Sequence, residues 1–133
     1  MKQEDKEILL KDLCARIPYG VKIEVTWWVM GEGTCINTTL EPDLIEQLLN
    51  DEYGDTEIKP YLRSMSSMTE EEEIEYLTID NRAYACPLDC ADILASDRID
   101  WLNAHHFDYR SLIPKGLAIE VTKENNQYEE INL

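Results

Sequence analysis

The sequence predicts an α+β fold: one domain with an N-terminal helix, a small mainly antiparallel sheet centred on Val21 to Leu40, and a helical C-terminal half. Three patterns carry that expectation. Apolar residues recur every fourth position near the N-terminus, alternate with a period of two after Val21, and return to helical spacing behind a run of glutamates at Glu70 to Glu73. A chain of 133 residues, 44% of them hydrophobic, is long enough to bury a core without staples.

The first helix is expected over Asp5 to Ile17, where Leu9, Leu13 and Ile17 form a stripe with Ile8 beside them and Lys6, Lys11, Asp12 and Arg16 can face water. Pro18-Tyr19-Gly20 ends it. Val21, Ile23, Val25, Trp27 and Val29 then alternate with Lys22, Glu24, Thr26, Trp28 and Met30, which is the pattern of a strand. A turn at Gly31-Glu32-Gly33 should pair it as a hairpin with the β-branched run Thr34 to Leu40. Leu44, Ile45, Leu48 and Leu49 suit one face of a short helix, and Glu57 to Leu62 a third strand whose Pro60 belongs at an edge or an end, because proline has no amide to donate. Thr69-Glu70-Glu71-Glu72 reads as a capping box that starts a helix at Glu70, its early glutamates favourably placed at the positive end of the helix dipole.

The remainder is expected to be mainly helical and irregular. Ser96 or Asp97 can cap a helix through Ile99, Leu102 and His106, and Asp108 can cap a further turn through Tyr109, Leu112 and Ile113. Leu117, Ile119 and Val121 alternate as a last short strand. The domain is expected to span 1–122, with 123–133 a polar tail that frays.

Twelve basic residues against 28 acidic give a formal charge of -16, which argues against direct binding to nucleic acid or to anionic membranes. The N-terminal residues carry charges throughout, and no apolar run approaches the roughly 20 residues that span a bilayer, so a cytoplasmic protein is expected. In a reducing compartment the four cysteines are free thiols.

Lys59-Pro60-Tyr61-Leu62-Arg63-Ser64-Met65-Ser66-Ser67-Met68-Thr69-Glu70-Glu71-Glu72, Asp100 to Arg110, and Lys115-Gly116-Leu117-Ala118 resemble blocks found in a family of short, acidic, uncharacterised bacterial proteins often associated with prophage or mobile elements. Leu10 to Arg16 and Pro18 to Val21 resemble the same family, which commonly carries proline where this chain has Ser64 and glycine where it has Ser111. The resemblance implies an accessory role in a mobile element and assigns no catalytic residue or cofactor.

The segment Asp100 to Arg110 gathers both histidines, a tryptophan and the only phenylalanine. His105 or His106, oriented by Asp100 or Asp108 with Arg110 as an anion clamp, is the candidate acid/base centre. No nucleophile motif or glycine-rich phosphate loop accompanies it, so no cofactor is expected and the plainer reading is a packed helix end. Cys86 and Cys90, four apart, could form a four-ligand zinc site completed by His105 and His106, although Pro87, the wide spacing and the adjacency of the histidines favour buried inert thiols. Trp27 and Trp28 point to opposite faces of their strand, so one of them is a candidate anchor for a protein partner. The functional expectation is a non-enzymatic protein-interaction protein. Its alternatives are an acidic inhibitor that imitates nucleic acid and a small histidine- or metal-dependent enzyme.

Overall fold

The computed structural model describes residues 2–51, 54–85, 88–129 and 131, with the backbone alone for 80–95. Its first helix, α1, runs Gln3–Arg16 and turns Leu9, Asp12, Leu13 and Arg16 inward. That corrects the expectation that Asp12 and Arg16 face water. The four residues follow the i, i+3, i+4, i+7 series of one helical face, so the two charged side chains lie on the same stripe as the leucines.

Strands β1 (Lys22–Val29) and β2 (Glu32–Thr39) pair antiparallel in unbroken register from Lys22↔Thr39 to Val29↔Glu32. The turn is Met30-Gly31, both at positive φ (52° and 82°), which is the requirement of a two-residue type I′ hairpin; Glu32 and Gly33, expected in the turn, belong to β2. Helix α2 (Pro42–Leu49) starts on a proline whose missing amide is not needed in a first turn, and buries Ile45 and Leu48.

Strand β3 (Thr56–Leu62) pairs antiparallel with β1, and β4 (Ile119–Glu120) adds in parallel, for a sheet order β2-β1-β3-β4. Pro60 is tolerated for a geometric reason. Lys22 and Trp28 turn their amides toward the β3 side, to the Tyr128 hydroxyl and to Asp55 O, so Ile23 turns the other way and its partner Pro60 has no ladder bond to donate. Beyond Pro60, β4 reaches only Tyr61 and Leu62.

One face of the sheet, with Ile23, Val25, Ile58 and Leu62, joins Leu9, Leu13, Leu48, Leu112 and Leu117 in the main core. The other face holds a smaller cluster of Tyr61, Val121, Tyr128 and Ile131. The C-terminal segment is therefore not a fraying tail at this point. The Tyr128 hydroxyl donates to Tyr61 O and accepts from Lys22 N, bridging β3 to β1 where their direct pairing ends.

Helix α3 (Glu70–Ala85) starts at the expected capping box, and α4 (Leu88–Ala104) runs antiparallel against it. A helix was expected to begin at Ser96 or Asp97; instead both lie inside α4, because the intrinsic preference of a cap residue yields to the pairing of two long helices. No helix among the described residues is long and apolar enough to cross a membrane.

Candidate functional site

Segment 101–113 is built by two capping devices. At the end of α4, His106 adopts φ 64° while Phe107 N donates to Leu102 O and His106 N to Asn103 O, the paired bonds of a Schellman stop. The chain then runs straight beside β3: Arg63 N donates to His106 O, and Asp108 N to Arg63 O, so Phe107 occupies the strand position that β1 has vacated. Asp108 closes the segment, its carboxylate accepting from Leu112 N and Ile113 N at 2.9 and 3.0 Å; it holds a turn that begins at Leu112, not one that runs on from Tyr109 as expected, because Ser111 at φ 60° breaks the chain between them.

The two histidines part in character. His106 is buried, its ring stacked on Tyr128 at 4.0 Å. His105 is half-exposed, stacks on Trp101 at 4.1 Å, and places Nδ1 3.6 Å from Glu72 Oε2. Asp100 sits apart from both, beside Tyr19, whose hydroxyl is pushed above its ordinary pKa by burial and then by that carboxylate. Arg110 is held by Asp12 and Tyr109 rather than facing an open cleft as an anion clamp.

Among the described residues, Glu72 is the acid with the most partners. As the capping-box glutamate it accepts from Thr69 N while its own amide donates to Thr69 Oγ1. The same carboxylate takes both terminal nitrogens of Arg63, each at 2.7 Å, in a bidentate pair. Those Arg63 hydrogen bonds lower its pKa to about 2, against the opposing effect of burial. Arg63 in turn lies 4.2 Å over the Phe107 ring. The first turn of α3, the end of β3 and the end of α4 thus meet at one arginine, beside a cavity of about 340 Å³ whose lining includes Arg63, Thr69, Glu72, His105 and His106.

A second charged cluster sits behind Phe107. Asp12 accepts from Arg16 Nε at 2.7 Å and from Arg110 Nη1 at 3.0 Å, and Arg16 Nη2 donates to Phe107 O at 2.6 Å. Sequence reasoning missed Asp12, Arg16 and Arg63 as organisers. The signal for the first two was their place on the Leu9–Leu13 stripe; Arg63 gave none, since its partner is chosen by tertiary packing.

For catalysis this arrangement offers little. Glu72 and Arg63 neutralise each other, and the nearby serines are bonded within their own turn, Ser67 Oγ to Ser64 O and Ser64 Oγ to Ser66 Oγ. Cys86 lies outside the described residues and the Cys90 side chain is not described; among the described residues no three His, Cys, Asp or Glu side chains converge as metal ligands.

The tryptophans divide as their strand requires. Trp27 packs against the main core with Nε1 donating to Gln47 Oε1, whereas Trp28 is 46% exposed and lies over Gly33. Exposed apolar surface also occurs on α3, at Ile74 (66%) and Leu77 (47%), one turn apart among the exposed Glu70, Glu71, Glu73 and Glu75. No protein-family model matches the chain, and no curated protein or solved structure is detectably similar to it.

Proposed function

We propose that this chain is a non-enzymatic protein-interaction protein, a cytoplasmic accessory of a mobile element, and that it docks through α3. The observation that carries the reading is the exposure of Ile74 and Leu77 inside a ring of glutamates. A helix packed along α4 has no use for two large aliphatic side chains on its water face, and apolar anchors within a charged rim are how interfaces concentrate their energy. The partner that fits is a protein with an apolar socket bordered by lysine or arginine, which a chain of charge -16 would also steer onto itself. The mobile-element setting rests on the resemblance of the Lys59–Glu72 and Asp100–Arg110 blocks.

A second reading, an acidic mimic of nucleic acid that occupies a DNA-binding enzyme, is favoured by the run Glu70 to Glu73. The two differ in what holds the partner. Affinity capture from a bacterial host at low and high salt, with the chain and its Ile74→Ser/Leu77→Ser variant, tells them apart. Docking on the apolar anchors predicts capture that persists at high salt and falls about tenfold or more in the variant, since each lost aliphatic contact is worth about 1.5 kcal/mol or more. Capture that vanishes at high salt and ignores the variant would instead establish the mimic.

A further inference from the structure

Strand β2 is the longer of the two edge strands of the sheet, and its backbone shows which groups are unspent. Val21 O accepts from Leu40 N, so by alternation the odd residues of β1 bond to β2 and their partners Glu32, Thr34, Ile36 and Thr38 turn inward. Gly33, Cys35, Asn37 and Thr39 therefore turn their amides and carbonyls outward. Exposed edges of this length are ordinarily guarded by lysine, proline or a bulge. Here the strand reads EGTCINTT, with no lysine or proline, and its register with β1 runs through all eight pairs without a bulge.

We propose that a second copy of this chain pairs with β2, edge to edge and antiparallel, about a two-fold axis at Cys35. In that register Cys35 lies opposite the partner's Cys35 and Gly33 opposite the partner's Asn37, so every outward group between them finds its complement. The distribution of charge selects this occupant. The chain carries -16, yet β2 holds one acid and no base, and the pairing sets Glu32 against the partner's Thr38 rather than against another carboxylate. A basic foreign strand would find no acid on β2 beyond Glu32 with which to pair. Trp28 adds the apolar contact: Gly33 is bare because a Cβ there would come within 2.8 Å of the Trp28 ring, which lies across the edge where the partner's Asn37 would arrive. Ile36, 43% exposed, would meet the partner's Thr34 on the opposite face.

The salt response of this contact has the opposite sign to that of an acid-driven one, because salt screens the repulsion between two chains of like charge. Sedimentation at increasing concentration should give a particle of twice the 15.5 kDa chain, at lower concentration as salt is raised. Hydrogen exchange followed by NMR should show the Gly33, Cys35 and Asn37 amides protected together with those of Thr34 and Ile36. A variant with Cys35 as its sole cysteine should give a covalent dimer on mild oxidation. Cys35→Lys, at an exposed position, should be folded by circular dichroism and monomeric, and Trp28→Ala should weaken association severalfold. A 15.5 kDa particle at high concentration and high salt, with the outward amides exchanging freely, would overturn the proposal. So would a dimer that Cys35→Lys leaves intact. Neither result bears on docking through α3, which its own variant tests.

Discussion

Two buried arginines grip Phe107 from different sides, and they do so in different surroundings. Arg16 bonds the Phe107 carbonyl; Arg63 lies over its ring. The countercharge of Arg16 is Asp12, one turn back on the same helix, fully buried and shared with Arg110. The countercharge of Arg63 is Glu72, whose side chain keeps 17% exposure and borders the cavity where His105 stands. The Asp12–Arg16 pair is sealed, with water reaching only as far as Arg110 at its edge (22% exposed), whereas in the other cluster the carboxylate itself is open to water. A sealed ion pair gives little net stability over an apolar filling of the same shape, but loss of one partner strands a charge that water cannot reach. The open cluster can be rehydrated. The contrast teaches that the same pairing chemistry locks α1 to the segment 107–110 while leaving the base of the α3–α4 hairpin more adjustable.

The largest test of that difference is Asp12→Ala. It leaves both Arg16 and Arg110 without their carboxylate, and should cost about 3 to 5 kcal/mol in urea unfolding. A loss below about 1 kcal/mol, the range of surface ion pairs, would mean the cluster is not sealed.

Glu72→Ala should cost less, about 2 kcal/mol, because solvent can reach the vacated site. The pH response is more specific. The folded carboxyl titrates at about 2, below its ordinary 4.5, so its contribution is complete above pH 4.5 and is lost as pH falls through about 2. Stability measured across that acid window should fall less steeply in Glu72→Ala than in the parent chain. Equal slopes would place the Arg63 pairing outside the energetics of folding.

How much of this was readable from the sequence depends on whether a feature is local. The hairpin and the capping box at Thr69 follow from short-range pattern, and the structure has both; Asp108 does bond amides ahead of it, but those of a turn that starts later than expected. The α+β class followed from the same periodicities. The sealed cluster was misjudged because charge was allowed to outrank position: Asp12 and Arg16 occupy the apolar stripe, and Arg110, which completes the cluster, lies 98 residues from Asp12. The seat of Tyr128 was invisible for a related reason. Its hydroxyl fills a gap between β1 and β3 that exists only once Arg63 and Phe107 have paired. The Asp100–Arg110 segment stands out in the sequence for its histidines, whereas its packed centre in the structure is Phe107.

The smallest effect separates backbone from side chain in that segment. Each cluster is approached through a residue in the left-handed region, His106 at φ 64° beside Arg63 and Ser111 at φ 60° next to Arg110. Such a conformation costs a non-glycine residue of order 1 kcal/mol, which glycine avoids. Ser111 is exposed, so Ser111→Gly should relieve the backbone and stabilise the chain by about 0.5 to 1 kcal/mol, raising Tm by a few degrees. His106→Gly relieves the same strain but removes a buried ring stacked on Tyr128, and should destabilise by about 2 kcal/mol or more. Opposite signs at two positions with one backbone geometry would show that His106 is kept for its packing. If both variants gained stability, the packing of His106 against Tyr128 would contribute nothing to folding.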